Sequence, residues 1–113
     1  MAYDEDLAVR TRDVLSELSG DVVEKKMFGG LAFMVNTNMA CGLIGDDLMV
    51  RVGADGHEEA RARGAREMDF TGRTMRGFVV VPGGDVVDDR ILEGWVRAGV
   101  EVAESLPRKK PKA

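Results

Sequence analysis

The sequence predicts an α+β fold, a two-layer sandwich with one antiparallel sheet of about five strands and helices on one face. Three observations predict it. Apolar residues recur at helical spacing at both ends of the chain. Between them lie short valine-, leucine- and methionine-rich runs bounded by glycine and asparagine. The connections between those runs are too short for parallel crossovers, so the strands form an antiparallel meander. The order read from the chain is α-β-β-β-β-α-β-α, and helices at both ends of a single sheet pack on one of its faces.

The first helix spans roughly 4–19. Asp4 caps it, acidic residues fill its first turn, and Leu7, Thr11, Val14, Leu15 and Leu18 form one apolar face. Gly20 ends it. A strand follows over 21–28, broken by Gly29-Gly30, a pair that marks a bulge or bend inside a strand pattern. Leu31–Val35 is the next run. Asn36-Thr37-Asn38 reads as a three-residue turn, because asparagine tolerates left-handed geometry. Met39–Ile44 returns, 45–47 turns, and 48–52 alternates Leu48, Val50 and Val52 with Met49 and Arg51. Residues 53–56 read as a loop, 57–66 as a helix weakened by Gly64, and 68–76 as a polar connection. Gly77–Val81 is a strand closed by Pro82-Gly83-Gly84. Asp88 or Asp89 caps a last helix with an apolar stripe at Ile91, Leu92, Trp95, Val96, Val100, Ala103 and Leu106, and Pro107 stops it.

The chain has 113 residues, of which 44% are apolar. That length and composition fit one domain with one core, over 1–107. The segment 108–113 carries Arg108, Lys109, Lys110 and Lys112 and no acid, and reads as a basic, flexible tail. Setting those four aside from the 16 cations leaves 12 against 20 acids, a net charge of −8 on the body. Such a body disfavours phosphate-backbone binding, which needs a basic footprint. No segment approaches the roughly 20 apolar residues of a membrane span. The acidic start, Tyr3-Asp4-Glu5-Asp6, lacks the features of a signal peptide, so the expected location is cytoplasmic.

Candidate chemistry is sparse. Cys41, the one cysteine, sits among Met39, Ala40, Gly42 and Leu43 and reads as core. His57, the one histidine, has no partner that spacing places beside it. With one of each, no transition-metal site is expected, and Asp46, Asp47 and Asp55 lack the spacing of a calcium loop. No catalytic residue, metal or cofactor is therefore assigned. The phosphate-loop reading of Gly29-Gly30 fails because a strand, not a helix, follows. Arg61, Arg63, Arg66, Arg73 and Arg76 form the densest cationic stretch of the body, and Arg51, Arg73 and Arg76 are the candidate anion-binding set. Methionine is frequent, at seven residues. Alternation sends some methionines to the face the helices leave bare, with Met34 and Met49 the candidate interaction surface.

Several stretches in order carry a resemblance. They are Lys26-Met27-Phe28-Gly29-Gly30, Phe33-Met34-Val35-Asn36, Met39-Ala40-Cys41-Gly42, Leu48-Met49-Val50-Arg51-Val52-Gly53, Met68-Asp69-Phe70-Thr71-Gly72-Arg73, Met75-Arg76-Gly77-Phe78-Val79, Trp95-Val96 and Ser105-Leu106-Pro107. Together they resemble the N-terminal domain of the TfoX/Sxy competence regulators, and a stand-alone domain of that type is the expectation. Relatives often have proline where this chain has Thr74. The resemblance implies a small α+β domain. In the best-known members it implies non-enzymatic coactivation of competence genes alongside the cyclic-AMP receptor protein, and it supplies no catalytic residue. The expected function is a regulatory or protein-interaction domain that binds a partner or itself through the bare sheet face or its edge. The alternatives are an anion sensor built on Arg51, Arg73 and Arg76, and weak nucleic-acid binding through the arginine stretch and the tail.

Overall fold

The computed structural model describes residues 3–27, 29–70 and 73–107, with the backbone alone described for 68–70 and 73–76. The expected tail, 108–113, lies outside the described residues. In chain order the elements are α1 (Glu5–Leu18), β1 (Val22–Met27), β2 (Gly30–Val35), β3 (Asn38–Ile44), β4 (Asp47–Arg51), α2 (Gly53–Ala62), β5 (Arg66–Phe70), β6 (Arg73–Val81) and α3 (Asp89–Ser105). A 3-10 turn over Gly83–Val86 leads into α3. The six strands form one sheet in the order β1-β2-β3-β4-β6-β5, and every neighbouring pair is antiparallel. The α+β sandwich is as the sequence predicts.

Three details differ. The expected connection over 68–76 is largely strand: 68–70 belong to β5 and 73–76 begin β6. The polarity of β5 is that of an edge strand, where charge replaces the apolar run. The β5–β6 ladder is also broken, since Glu67 pairs with Val79 but Asp69 with Thr74, and Gly77 between them has φ +90°. The second helix starts at Gly53 rather than His57, because two glycines in its first turn hide the helical pattern. The turn after β2 has two residues, Asn36 and Thr37, both at positive φ, and Asn38 already belongs to β3.

The helices share one face of the sheet. Leu7, Ala8 and Leu15 of α1, Ala60 of α2, and Leu92, Trp95, Val96 and Val100 of α3 join Phe33, Cys41, Leu43, Val50 and Val79 in one core. Thr11 sits on the apolar side of α1 because its hydroxyl donates to the Leu7 carbonyl at 2.8 Å. A second, smaller cluster on the opposite face contains only strand residues. Met49 and Val80 are its centre, with Met39, Ile44 and Phe78 against them.

The position of α3 is set by a β-bulge. Phe33 pairs with Cys41 and Met34 with Met39, so Ala40 is an extra residue in β3. Ala40 and Cys41 therefore both enter the core. Gly99 lies over this bulge, and a Cβ there would collide with the Ala40 carbonyl oxygen. The ends of α3 are fixed as well. Asp88 Oδ1 accepts from the Arg90 amide at 2.8 Å, and Arg10 Nη2 donates to the carbonyls of Val86 at 2.7 Å and Val87 at 2.9 Å. At the far end, Asn38 Nδ2 donates to the Pro107 carbonyl at 3.1 Å and Asn36 Nδ2 to the Leu106 carbonyl at 3.2 Å.

Gly99→Ala forces α3 off the bulge and should cost about 1–3 kcal/mol or more, the range of overpacked cores. Gly94 lies on the same helix with open space around its Cβ position. Gly94→Ala should be neutral or raise stability by up to about 1 kcal/mol. Thermal melts of the two variants check the contrast.

Candidate interaction surface

β1 begins with two β-branched residues that favour an extended chain, Val22 and Val23. It pairs with β2 from Val22↔Val35 to Met27↔Gly30, and among the described residues it has no neighbour on its other side. Its alternation splits it cleanly. Val22 packs on the core, and Glu24 is held by α1: Arg12 Nε donates to Oε2 at 2.6 Å and Nη2 to Oε1 at 2.9 Å. That pair raises the Arg12 pKa, mainly through the hydrogen bond from its guanidinium to Glu24. Val23, Lys25 and Met27 therefore lie on the opposite face. Val23 is 51% exposed and Met27 42%, large values for apolar strand residues.

The predicted surface residues lie beside this strand. Met34 pairs with Val23 across β1–β2 and is partly exposed. Met49 lies on the same face but is only 1% exposed. It closes over its cross-strand neighbour Gly42, where an added Cβ would stand 2.9 Å from the Met49 methyl carbon. The face thus has a sealed centre at Met49 and an open margin at Met34, Val23 and Met27. Sequence reasoning missed Val23 and Met27 because a valine and a methionine in a strand run read as core. The signal available was the lysine pair beside them, Lys25-Lys26, which marks an edge.

The arginines disperse. Arg51 Nη1 donates to the Met39 carbonyl at 3.3 Å and its guanidinium carbon lies 5.1 Å from the Phe78 ring centroid. Burial lowers its pKa. Arg73 and Arg76 lie on β6, the neighbour of β4, but their side chains are outside the described ones. Arg61 pairs with Glu67 at 3.3 Å, Arg66 with Asp47 at 2.7 Å, and Arg63 stacks 4.1 Å over the Trp95 ring. Those three point at three different partners.

The two reactive side chains are enclosed. Cys41 is fully buried, and desolvation pushes its thiol up to about 12. His57 does acquire a carboxylate partner that spacing did not show. The Gly77 amide donates to His57 Nδ1 at 3.2 Å, so Nε2 carries the ring proton and faces Glu67 Oε1 at 3.4 Å. Both ring nitrogens are thus engaged in joining α2 to β5 and β6. Among the described residues no group of three or more His, Cys, Asp or Glu could hold a metal ion, and no helix is long and apolar enough to cross a membrane.

A family model described as the TfoX N-terminal domain matches residues 13–103. The chain belongs to the TfoX N-terminal domain family. No curated protein and no solved structure matches it. In this TfoX N-terminal domain the runs that carry the resemblance have structural work. Phe33 and Cys41 fill the core, Gly42 admits Met49, and Gly77 meets His57. Lys26-Met27 ends the open strand.

The thiol supplies a test of the packing. Cys41 should resist a thiol reagent at pH 8 in the native state and react stoichiometrically once denatured. Its pKa is raised on folding from an ordinary 9.0 to about 12. Its contribution to stability is therefore full below about pH 9 and is lost as pH rises toward 12. Denaturant titrations at rising pH, wild type against Cys41→Ala, should show that difference.

Proposed function

We propose that this TfoX N-terminal domain is a non-enzymatic, cytoplasmic regulatory module that works by binding protein. The open edge of β1, with the adjoining margin at Met34, is its binding surface. One observation carries the reading: β1 exposes Val23 and Met27 along a strand that, among the described residues, pairs on one side only, while Cys41 and His57 are enclosed. An open edge accepts an extended segment by main-chain hydrogen bonds, and its exposed side chains set the preference for that segment. The family points to the regulation of competence genes as the setting. The acidic body, net −8 over 1–107, favours a protein partner over direct contact with DNA.

A second reading rests on Arg51. Among the described residues it makes no ion pair, only the carbonyl contact and the aromatic one. Arg51 with Arg73 and Arg76 would receive a carboxylate or phosphate ligand. A thermal-shift screen against phosphorylated metabolites would then show a concentration-dependent rise in Tm, and a flat response removes this reading.

For the first reading, wild-type and Val23→Lys baits are compared in pull-downs from native lysate, with circular dichroism checking both folds. A protein retained by the wild type and lost with Val23→Lys is the expected result. Equal retention by both baits contradicts the edge as the surface. Retention of nothing by either contradicts a protein-binding role.

A further inference from the structure

The open strand is self-complementary. We propose that two copies of the chain pair through β1, antiparallel about a two-fold axis perpendicular to the sheet, to form one continuous sheet. This rests on β1 being the binding surface and names its occupant as a second copy.

Such an axis keeps the helix layers of both copies on the same side, so residues that stand opposite each other must share a face. Glu24 and Lys26 lie on the helix side of β1, and Val23, Lys25 and Met27 on the other. The registers that pair the most residues are centred on Glu24 or on Lys25. Centred on Glu24, the acid faces its own copy and Val23 faces Lys25 of the partner subunit. Centred on Lys25, Val23 faces Met27 of the partner subunit and Glu24 faces Lys26 of the partner subunit, and symmetry repeats both pairs. Only the second register matches apolar with apolar and acid with base.

The surroundings fit that register. Val23 and Met27 are two of the exposed large apolar residues of the protein, and pairing covers each with the other. Glu24 is already oriented by Arg12, and its side chain is still 36% exposed and able to meet an ammonium group. Edge lysines ordinarily deter pairing. Here Lys26 meets an acid, and only Lys25 is mismatched. It stands against itself on the solvent face, where two long side chains diverge into water.

The test is solution mass by light scattering, from about 1 μM to a few hundred μM, because dimer content depends on protomer concentration. Wild type should approach twice the 12.3 kDa of one chain at the upper end. Lys25→Thr, which removes the mismatch, should shift assembly to lower concentration. Lys26→Glu, which sets acid against acid, should shift it to higher concentration. Val23→Lys should return the mass to 12.3 kDa. Opposite effects at adjacent lysines single out this register, and both substitutions are exposed enough to spare the fold. A wild-type mass of one chain throughout overturns the proposal, as does a dimer indifferent to Lys26→Glu and Val23→Lys. A monomeric wild type that still retains a foreign protein in the pull-down removes the second copy and leaves the interaction role standing.

Discussion

The close approach of Gly99 in α3 to the Ala40 carbonyl of β3 is the contact on which the rest of the structure depends. The bulge that supplies Ala40 turns two successive residues into the core, and a helix without a side chain at 99 fits directly over them. From that point Trp95 and Ala103 continue the same buried stripe, one turn to either side. Asn36 and Asn38, at the turn between β2 and β3, donate to the carbonyls just past the end of α3, and Arg10 ties its start to α1. The β2–β3 hairpin therefore both carries the helix and ends it. α3 packs on β2, β3 and β4, and the strand beyond them, β1, meets α1 through the Arg12–Glu24 pair.

That geometry separates the packed core from the proposed binding edge. Cys41 and His57 lie in the packed part and are enclosed by it. Cys41 fills space under α3, and His57 uses both nitrogens to hold α2 against the kink at Gly77. Arg63 lies flat on Trp95 and closes the helix layer at that point. At the margin of the sheet lie backbone and apolar surface, with the charges of Glu24, Lys25 and Lys26 arranged along it. Such a margin suits the proposed recognition by strand addition and side-chain register.

Much of the fold was legible. Asp4 and Asp88 cap the helices as their sequence contexts indicate, the meander from 21 to 52 follows its alternation, and the stripe of α3 is periodic throughout. β5 was hidden because an edge strand carries charges where a central one carries valines. The first turn of α2 was hidden because Gly53 and Gly56 are poor helix formers. The interaction surface was legible only in outline. Alternation places Met34 and Met49 on one face, but that Met49 is sealed follows from the missing side chain at Gly42, a tertiary fact. Val23 and Met27 read as core residues apart from the hint of Lys25-Lys26 beside them, and the strand order shows that β1 lies outermost. The bulge at Ala40, on which α3 rests, has no local signal beyond the small residues Ala40 and Gly99 themselves.

Amide hydrogen exchange at low and high protein concentration tests the division between a rigid helix-on-bulge core and an edge completed by another chain. Slow exchange in β3 and α3 at both concentrations, with β1 amides gaining protection only at the higher one, is the predicted result. Exchange in β1 that is already slow at low concentration, or that does not respond to concentration at all, would contradict the account.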